Sequence, residues 1–217
     1  MNEIMDIILT SLQVSLSSTM FAAVFAVPFG LFLGLSTNKA ALRLRPVFSS
    51  LAGLPPVLAG ITVFLLLSNA GPLGSFRLLY SKPAIVTAQV LIVFPLIVAS
   101  VYPLVLPIKA VFLETCFGLN IPKKKQIRYL FSELRYGLLA AVLLGFGRAM
   151  AEVGAVMMVG GNIRYKTRVM TTAIVLETNQ GNYSTALTLG IALLLISFSI
   201  NWLVHGLFKE VSHDPLY

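Results

Sequence analysis

An arginine and a glutamate stand inside the otherwise apolar, glycine-rich stretch GFGRAMAEVGAVMMVGG, residues 145–161. Arg148 and Glu152 are four residues apart, so both side chains project from the same face if the stretch is helical. A lone charge near the centre of a bilayer costs roughly 2.5–3.5 kcal/mol on insertion scales, and such residues usually face a protein interior or a water path. The pair can therefore be a self-neutralising link between helices, or it can be part of a gate along a pathway.

The sequence offers no recognisable constellation for catalysis. The phosphate-binding pattern G-x-x-x-x-G-K-[ST] does not occur, which excludes ATP binding by that route. Gly145 and Gly147 lack the third glycine of a dinucleotide site and follow no strand. His205 and His213 belong to no H-E-x-x-H pattern, and no acid–base pair stands out. We therefore expect no catalytic residue, no metal site and no cofactor in this chain.

The composition indicates an integral membrane protein. Of the 217 residues, 57% are hydrophobic and 11% are charged, whereas soluble proteins have about 25% charged residues. Five segments reach the roughly 20 apolar residues that a transmembrane helix needs. We therefore predict an all-α fold in which residues 1–217 form a single transmembrane domain. The predicted spans are Ile7–Leu35, Val47–Leu67, Ala84–Leu106, Leu138–Val159 and Ala186–Leu207.

The distribution of basic residues predicts the orientation in the membrane. The net charge is +8, and 10 of the 16 lysines and arginines lie in the segments after spans one, three and five. The segments after spans two and four carry only five. The positive-inside rule then places the N-terminus outside and the C-terminus in the cytoplasm. This pattern explains the charge by contact with a lipid bilayer, so we expect no nucleic-acid partner.

Prolines predict a break in span two at membrane depth. Pro55 and Pro56, in the sequence Gly53-Leu54-Pro55-Pro56, lie about nine residues inside the span and remove backbone donors. Broken helices at this depth are tolerated only where protein or water covers the freed backbone groups. The prolines can be ordinary transmembrane kinks, or they can mark a substrate path lined by helix ends.

Hydroxyl side chains follow one face of the first span. Ser11, Ser15 and Ser18 have the i, i+4, i+7 spacing of a helix face. In lipid, such small residues let helix backbones approach closely and form hydrogen bonds between helices. We therefore predict that this face packs against other helices and does not bind a ligand.

The longest polar interruption, residues 109–135, follows span three. The sequence of residues 110–120 is typical of a short amphipathic helix. We expect this helix to end before Pro122, because the residue before proline is biased away from helix. The sequence of residues 123–131 predicts a second helix with a basic face. That face can lie on anionic lipid or can bind a cytoplasmic partner.

Two patterns, Arg148–Glu152–Gly154 and Gly161–Asn162, resemble those of the permease subunits of ABC importers, most closely the tungstate and molybdate type. The sequence GLPPVLAGITVFLLLSNAGPLG at residues 53–74 and the serine-rich first span support the resemblance, which covers nearly the whole chain. It implies the type I ABC permease fold, with cytoplasmic coupling helices, in a bacterial or archaeal cell (inner) membrane. It also implies import of a small oxyanion, with tungstate favoured over molybdate and sulfate.

The same resemblance implies the other parts of the transporter. These are a second permease copy that makes a homodimer, a cytoplasmic ABC ATPase dimer and an extracytoplasmic oxyanion-binding protein. ATP and Mg²⁺ would be held by the ATPase, so the permease itself would not be an enzyme. The rival class is a self-contained channel or secondary transporter, but the two related halves that such proteins often show are not visible in this sequence.

Candidate coupling residues come from the loop signature of the family, which is Glu-Ala-Ala, three residues, Gly, nine residues and Ile-x-Leu-Pro. Glu114-Thr115-Cys116 fits its start, Asn120 stands where glycine is expected, and residues 130–133 replace its ending. The resemblance therefore implies that Glu114–Ile121 is the ATPase-docking helix. The candidate coupling residues are Glu114, Thr115, Cys116, Gly118, Asn120 and Ile121.

Candidate pathway residues follow from how a dianion would be held in transit, namely weakly and by hydroxyls and helix-end dipoles. Thr171 and Thr172 fit a position near the outer mouth, but they can equally be the N-cap of a short helix, Ala173–Thr178. The Arg148–Glu152 pair is formally neutral, so we predict a hinge or gate link and not an anion site. The candidates for the pathway or gate are Pro55, Pro56, Arg148, Glu152, Asn162, Thr171 and Thr172.

The basic segment 164–168 precedes these threonines in the loop after span four. Its basic residues, Arg164, Lys166 and Arg168, can meet the binding protein or can steer anions in general. The two possibilities differ in whether the charges act through contact or through their long-range field.

Overall fold

The computed structural model describes residues 2–209, most of which are α-helical. No strand occurs within this range, and a single 3-10 turn lies at Gly74–Phe76. The helices, in chain order, are α1 (Asn2–Leu35), α2 (Lys39–Leu51), α3 (Pro56–Leu67), α4 (Lys82–Val105), α5 (Lys109–Gly118), α6 (Lys123–Glu133), α7 (Arg135–Met150), α8 (Gly154–Gly160), α9 (Met170–Asn179) and α10 (Tyr183–Lys209).

Three of these helices, α1, α4 and α10, are long and apolar enough to cross a membrane by themselves. Two bent pairs, α2 with α3 and α6 with α7, can each supply one more span, which gives three to five in the described range. The predicted all-α membrane fold is thus confirmed, and spans one, three and five correspond to α1, α4 and α10.

The break that the proline pair predicts in span two is confirmed. α2 ends at Leu51, α3 begins at Pro56, and the two helices are bent by 102°. Pro55 occupies the N-cap position in an extended conformation, and Pro56 is the first helical residue. A helix start normally leaves several N–H groups unpaired, but proline has none, so the pair lets α3 begin at a lower cost in the membrane.

Span four, by contrast, is not one continuous helix, and that prediction was wrong. α7 ends at Met150, residues 151–153 are not helical, and α8 begins at Gly154. The carbonyl of Glu152, which would accept from Val156 in a continuous helix, instead accepts from the hydroxyl of Thr171 at 2.8 Å. Contacts from other helices therefore replace the helical hydrogen bonds at this point, which we call the α7–α8 break.

The short helices α5 and α6 agree with the prediction for residues 109–135. α9 begins at Met170, three residues before the predicted start of the helix at Ala173, and its N-cap position is Val169. Thr171 and Thr172 therefore lie inside the first turn of α9, and the reading of these threonines as its N-cap was wrong.

One end of the bundle, the near end, is where α1 begins. Glu3 forms ion pairs with Arg164 and Arg168 of the loop between α8 and α9. The hydrogen bond to Glu3 raises the pKa of the Arg164 guanidinium. The amide of Tyr80, in the loop after α3, donates to the carbonyl of Val159 at 2.8 Å. The loops after spans two and four thus lie together with the start of α1.

The opposite end, the far end, is where α1 finishes. The Arg45 guanidinium donates to the carbonyls of Leu33, Gly34 and Ser36, and the Lys109 ammonium donates to the carbonyl of Ser36 at 3.0 Å. These cations cap the helix end, where the dipole favours positive charge. The segments after spans one and three therefore lie together at the far end, as the alternation of spans predicts.

α1 and α4 pack along each other and form the scaffold of the bundle. Gly30 and Gly34 of α1 lie against Val101 and Val105 of α4, and a Cβ added at Gly30 would come within 2.8 Å of Val101. Small residues permit this close approach of two membrane helices. The scaffold positions the polar side chains that surround the α7–α8 break.

Candidate translocation path and coupling surface

Buried polar side chains gather around the α7–α8 break, within an otherwise apolar interior. They come from four separate parts of the chain, and each is shielded almost fully from the surroundings. Polar groups at this depth are tolerated only when they find hydrogen-bond partners inside the protein. The buried members are Ser11, Ser15, Ser18, Gln89, Glu152 and Thr171.

Gln89 of α4 connects three helices. Its amide nitrogen donates to the carbonyl of Ala149, near the end of α7, at 2.9 Å. The hydroxyl of Ser18 on α1 donates to its amide oxygen at 2.8 Å. In a continuous helix the Ala149 carbonyl would accept from Val153, so Gln89 supplies a partner that the break removes. Sequence reasoning missed Gln89, although a lone amide in an apolar span is itself a signal of a buried polar contact.

Thr171 and Ser11 fix the start of α9. The Thr171 hydroxyl donates to the Glu152 carbonyl at 2.8 Å, and the Met170 amide donates to the Ser11 hydroxyl oxygen at 2.7 Å. The Ser11 hydroxyl in turn donates to the Ile7 carbonyl. The start of α9 is thus tied to both α1 and the break. Together with the Ser18 contact, this confirms that the serine face of α1 packs against other helices.

Arg148 and Glu152 form the predicted ion pair, although Glu152 lies beyond the end of α7. The Arg148 Nε and Glu152 Oε2 atoms are 3.7 Å apart, which is an ion pair and not a hydrogen bond. The Glu152 side chain is 5% exposed, whereas that of Arg148 is 39% exposed. Arg148 lines a groove of about 340 Å³ between α4, α7 and α10. The pair thus connects the buried break to an open groove.

The starts of α3 and α8 lie side by side. A Cβ added at Gly154, the first residue of α8, would come within 3.2 Å of the Val57 side chain in α3. A Cβ at Gly60 of α3 would come within 2.7 Å of the Ala155 backbone in α8. Because helix starts carry partial positive charge, two adjacent starts make a weakly electropositive region beside the break. The structure thereby places Pro55 and Pro56 next to the second break in the chain.

Asn162 and Thr172 lie toward the near end and hold the loop between α8 and α9. Asn162 has a positive φ of 49°, and its amide nitrogen is 3.5 Å from the Thr172 carbonyl. The Thr172 hydroxyl contacts only the backbone of Val169 among the described hydrogen bonds. These two residues therefore stabilise the loop, while Arg148, Glu152 and Thr171 meet at the break itself.

A second feature is the apolar surface of α5 at the far end. Phe117 is 90% exposed and Leu119 is 69% exposed, and Val111 is also exposed. Exposed apolar residues on a segment between membrane spans indicate a surface that a partner covers. Glu114, Thr115 and Gly118 are exposed on α5 and Cys116 is buried there, while just after the helix Asn120 is exposed and Ile121 is half-buried. Sequence reasoning missed Phe117 and Leu119.

The end of α5 explains why asparagine replaces the expected glycine. Asn120 has a φ of 51°, in the left-handed region that glycine and asparagine tolerate best. The Ile121 amide donates to the Cys116 carbonyl at 2.8 Å, and the Asn120 amide donates to the Phe117 carbonyl at 3.0 Å. This pair of bonds is the Schellman motif that often ends helices. The substitution thus keeps the backbone geometry at this position.

Comparison with known proteins identifies the family. The chain is 38% identical over 208 residues to the tungstate uptake system permease TupB of Peptoclostridium acidaminophilum, which covers 96% of this chain and 91% of that protein. The chain belongs to the ABC transporter permease family. This permease is also 32% identical over 203 residues to a probable anion ABC transporter permease of Haloferax volcanii, with 91% and 88% covered. No protein-family model matches it.

More distant relatives in this family are named sulfate transport permeases. The sulfate transport system permease CysW of Synechocystis sp. is 31% identical over 215 residues, which covers 92% of this permease and 76% of that protein. The predicted resemblance to ABC importer permeases is therefore confirmed. For an integral membrane protein, membership of this family implies ATPase and substrate-binding partners.

The Arg148→Ala variant of this permease is expected to lower uptake severalfold without preventing assembly. The change removes the counter-charge of Glu152, but the hydrogen bond between Thr171 and the Glu152 backbone remains. Initial uptake rates in membrane vesicles, divided by the amount of assembled complex, measure the effect. Arg43→Ala is the control, since Arg43 is exposed and has no ion pair among the described residues. Normal uptake by the Arg148 variant would contradict a gating role.

Proposed function

We propose that the chain is the permease subunit of an ATP-driven importer for tungstate. The observation that carries this proposal is the 38% identity to the tungstate permease TupB over almost the full length of both proteins. The sulfate permease CysW is less similar, at 31% identity. Molybdate and sulfate are the alternative substrates, because both are tetrahedral dianions like tungstate.

The path lies on the two-fold axis of a homodimer. Three to five spans are too few to enclose a wide pathway, and closed two-fold symmetry is the commonest arrangement of identical subunits. Val57 of α3 is exposed beside the first residue of α8, so a second copy placed there closes the path next to the α7–α8 break. A dianion in transit passes the adjacent starts of α3 and α8, where it is bound weakly enough to leave.

The near end faces the outside and the far end faces the cytoplasm. The larger number of basic residues at the far end supports this orientation, with the N-terminus outside and the C-terminus inside the bacterial or archaeal inner membrane. The extracytoplasmic oxyanion-binding protein then docks on the near end. The ABC ATPase dimer, which holds ATP and Mg²⁺, docks on the exposed residues of α5.

Movement reaches the path through consecutive elements of the single permease domain. α5 contacts the ATPase, α6 follows it, and α7 runs from the far end to the α7–α8 break. A displacement of α5 is therefore passed along α7 to the α7–α8 break, where Gln89 holds Ala149 and the Arg148–Glu152 pair spans the end of α7. We assign this break as the pivot at which alternating access closes one side of the path and opens the other.

Reconstitution in lipid vesicles tests the proposal. We expect tungstate uptake only when the permease, its ATPase, the binding protein and ATP are all present. Tungstate uptake by the permease alone, driven by the ion gradient and insensitive to ATP, would show a self-contained channel or secondary transporter instead. Uptake of molybdate or sulfate in preference to tungstate would reassign the substrate and leave the importer mechanism in place.

A further inference from the structure

An apolar groove runs along the outside of the bundle between α1 and α7. Its volume is about 490 Å³, within the range of small-molecule sites. Leu138 and Val27 form its buried floor, while Met20, Val24 and Leu139 are exposed along its walls. The α1 residues that line it run over nine positions, from Met20 to Pro28, so the groove is about 12 Å long. We call this feature the α1–α7 groove.

A single cation stands among the residues that line the groove. Arg135, the first residue of α7, lies there with Phe131 of α6, and the other lining residues are apolar apart from backbone groups. Its guanidinium donates to the Tyr136 hydroxyl at 2.9 Å and lies 4.6 Å from the centre of the Tyr136 ring. Among the ion pairs of the described residues, none includes Arg135. The groove is therefore apolar along its length and positively charged at its far-end mouth.

The helix that precedes the groove adds further positive charge at the same depth. α6 is bent by 71° from α7, so α6 lies along the membrane surface if α7 crosses the membrane. Lys125 and Arg128 of α6 are exposed, as are the apolar Ile127 and Phe131. Basic residues that alternate with exposed apolar ones are typical of helices at the surface of anionic lipid.

We propose that the α1–α7 groove binds an anionic phospholipid of the far-end leaflet. One acyl chain occupies the apolar groove, and the headgroup phosphate accepts hydrogen bonds from the free donors of Arg135. The exposed cations of α6 attract the same headgroup through their field. The groove is long and apolar and has one cation at its mouth, so it favours an amphipathic anion over a free phosphate ion. A free phosphate ion has no apolar part that could fill the groove.

Native mass spectrometry of the purified permease tests this site. With phosphatidylglycerol and phosphatidylcholine added in equal amounts, we expect preferential retention of phosphatidylglycerol. The Arg135→Gln variant should reduce that retention about fivefold, which corresponds to the loss of roughly one basic contact with an anionic surface. The Val24→Trp variant fills the groove without changing charge, so it should also reduce the retention. Arg43→Gln removes another exposed far-end arginine, outside the groove, and should have little effect.

The remaining outcomes each contradict the proposal in a distinct way. Equal retention of the two lipids, or unchanged retention in both groove variants, would show that the groove does not select an anionic phospholipid. Displacement of phosphatidylglycerol by millimolar inorganic phosphate would indicate a simple anion site. Loss of the dimer in the Val24→Trp variant, with no change in lipid retention, would assign the groove to a second permease copy. None of these outcomes depends on which oxyanion is transported.

Discussion

Replacing Phe117 with aspartate is expected to separate the permease from its ATPase while leaving the membrane bundle intact. Phe117 is 90% exposed on α5 and makes no contribution to the buried clusters of the described residues. An aromatic residue that anchors an interface typically contributes about 2 kcal/mol or more, and a charge in its place also has to be desolvated. We therefore expect at least a tenfold weaker association in a pull-down titration, with loss of ATP-dependent uptake.

A matched control for this substitution lies at the other end of the molecule. Phe76 is also an exposed aromatic residue, but it belongs to the 3-10 turn at the near end. Phe76→Asp should leave ATPase association unchanged. Glu114→Ala, on the same helix as Phe117, should weaken association to a smaller extent or reduce substrate-stimulated hydrolysis. Equal ATPase binding by wild-type protein and the Phe117→Asp variant would contradict the assignment of α5 as the coupling helix.

Replacing Gln89 with leucine should affect both stability and transport strongly. The change removes two buried hydrogen bonds and leaves the Ala149 carbonyl and the Ser18 hydroxyl without their partner on α4. Each buried hydrogen bond lost costs about 0.5–1.5 kcal/mol, and the two groups keep only their local partners, the Ser15 carbonyl and the Glu152 amide. We expect a lower melting temperature and, in the protein that remains folded, a loss of uptake, because the end of α7 is no longer fixed at the break.

Two further variants separate the role of Gln89 from general destabilisation. Thr87→Val, on the same helix, removes a hydroxyl that donates only to the Pro83 carbonyl of α4 and should change neither property. Ser18→Ala removes one of the two bonds of Gln89 and should give a smaller loss. A Gln89→Leu variant with a lower melting temperature but normal uptake per folded molecule would contradict a role in the pivot and leave only a structural one.

The long apolar helices and the proline break could be predicted because their causes are local. The length of the apolar segments determines α1, α4 and α10, and the missing N–H groups of Pro55 and Pro56 determine where α3 begins. The i, i+4, i+7 spacing of the serines likewise predicts a packed face. These features require no knowledge of which helices become neighbours.

The α7–α8 break could not be predicted because its causes are distant in the sequence. Residues 145–161 contain no proline, and the break is stabilised by Gln89 and Thr171, which come from other helices. The same limit applies to Thr171 and Thr172, whose place inside the first turn of α9 depends on Ser11 of α1 receiving the Met170 amide. The exposure of Phe117 depends on the three-dimensional position of α5 relative to the other helices. A hydropathy pattern does not contain that information.

The ion pair of Arg148 and Glu152 has one feature that could be predicted, its distance, and one that could not, its position at the α7–α8 break. Their proximity follows from a spacing of four residues, and the structure keeps it at 3.7 Å even though the helix ends between them. The roles differ, however, from those of two residues on one helix face. Glu152 belongs to the break and Arg148 to the helix that leads there, so the pair spans the proposed pivot.

The central claim, that this permease couples ATP hydrolysis to tungstate import, is tested most directly by the ATPase activity of the reconstituted complex. Hydrolysis would be measured with the binding protein loaded in turn with tungstate, molybdate, sulfate or no anion. We predict that tungstate gives the largest stimulation over the empty binding protein, and that the Phe117→Asp variant loses this stimulation. Hydrolysis that is the same with and without tungstate, in a complex shown to be fully assembled, would contradict the account.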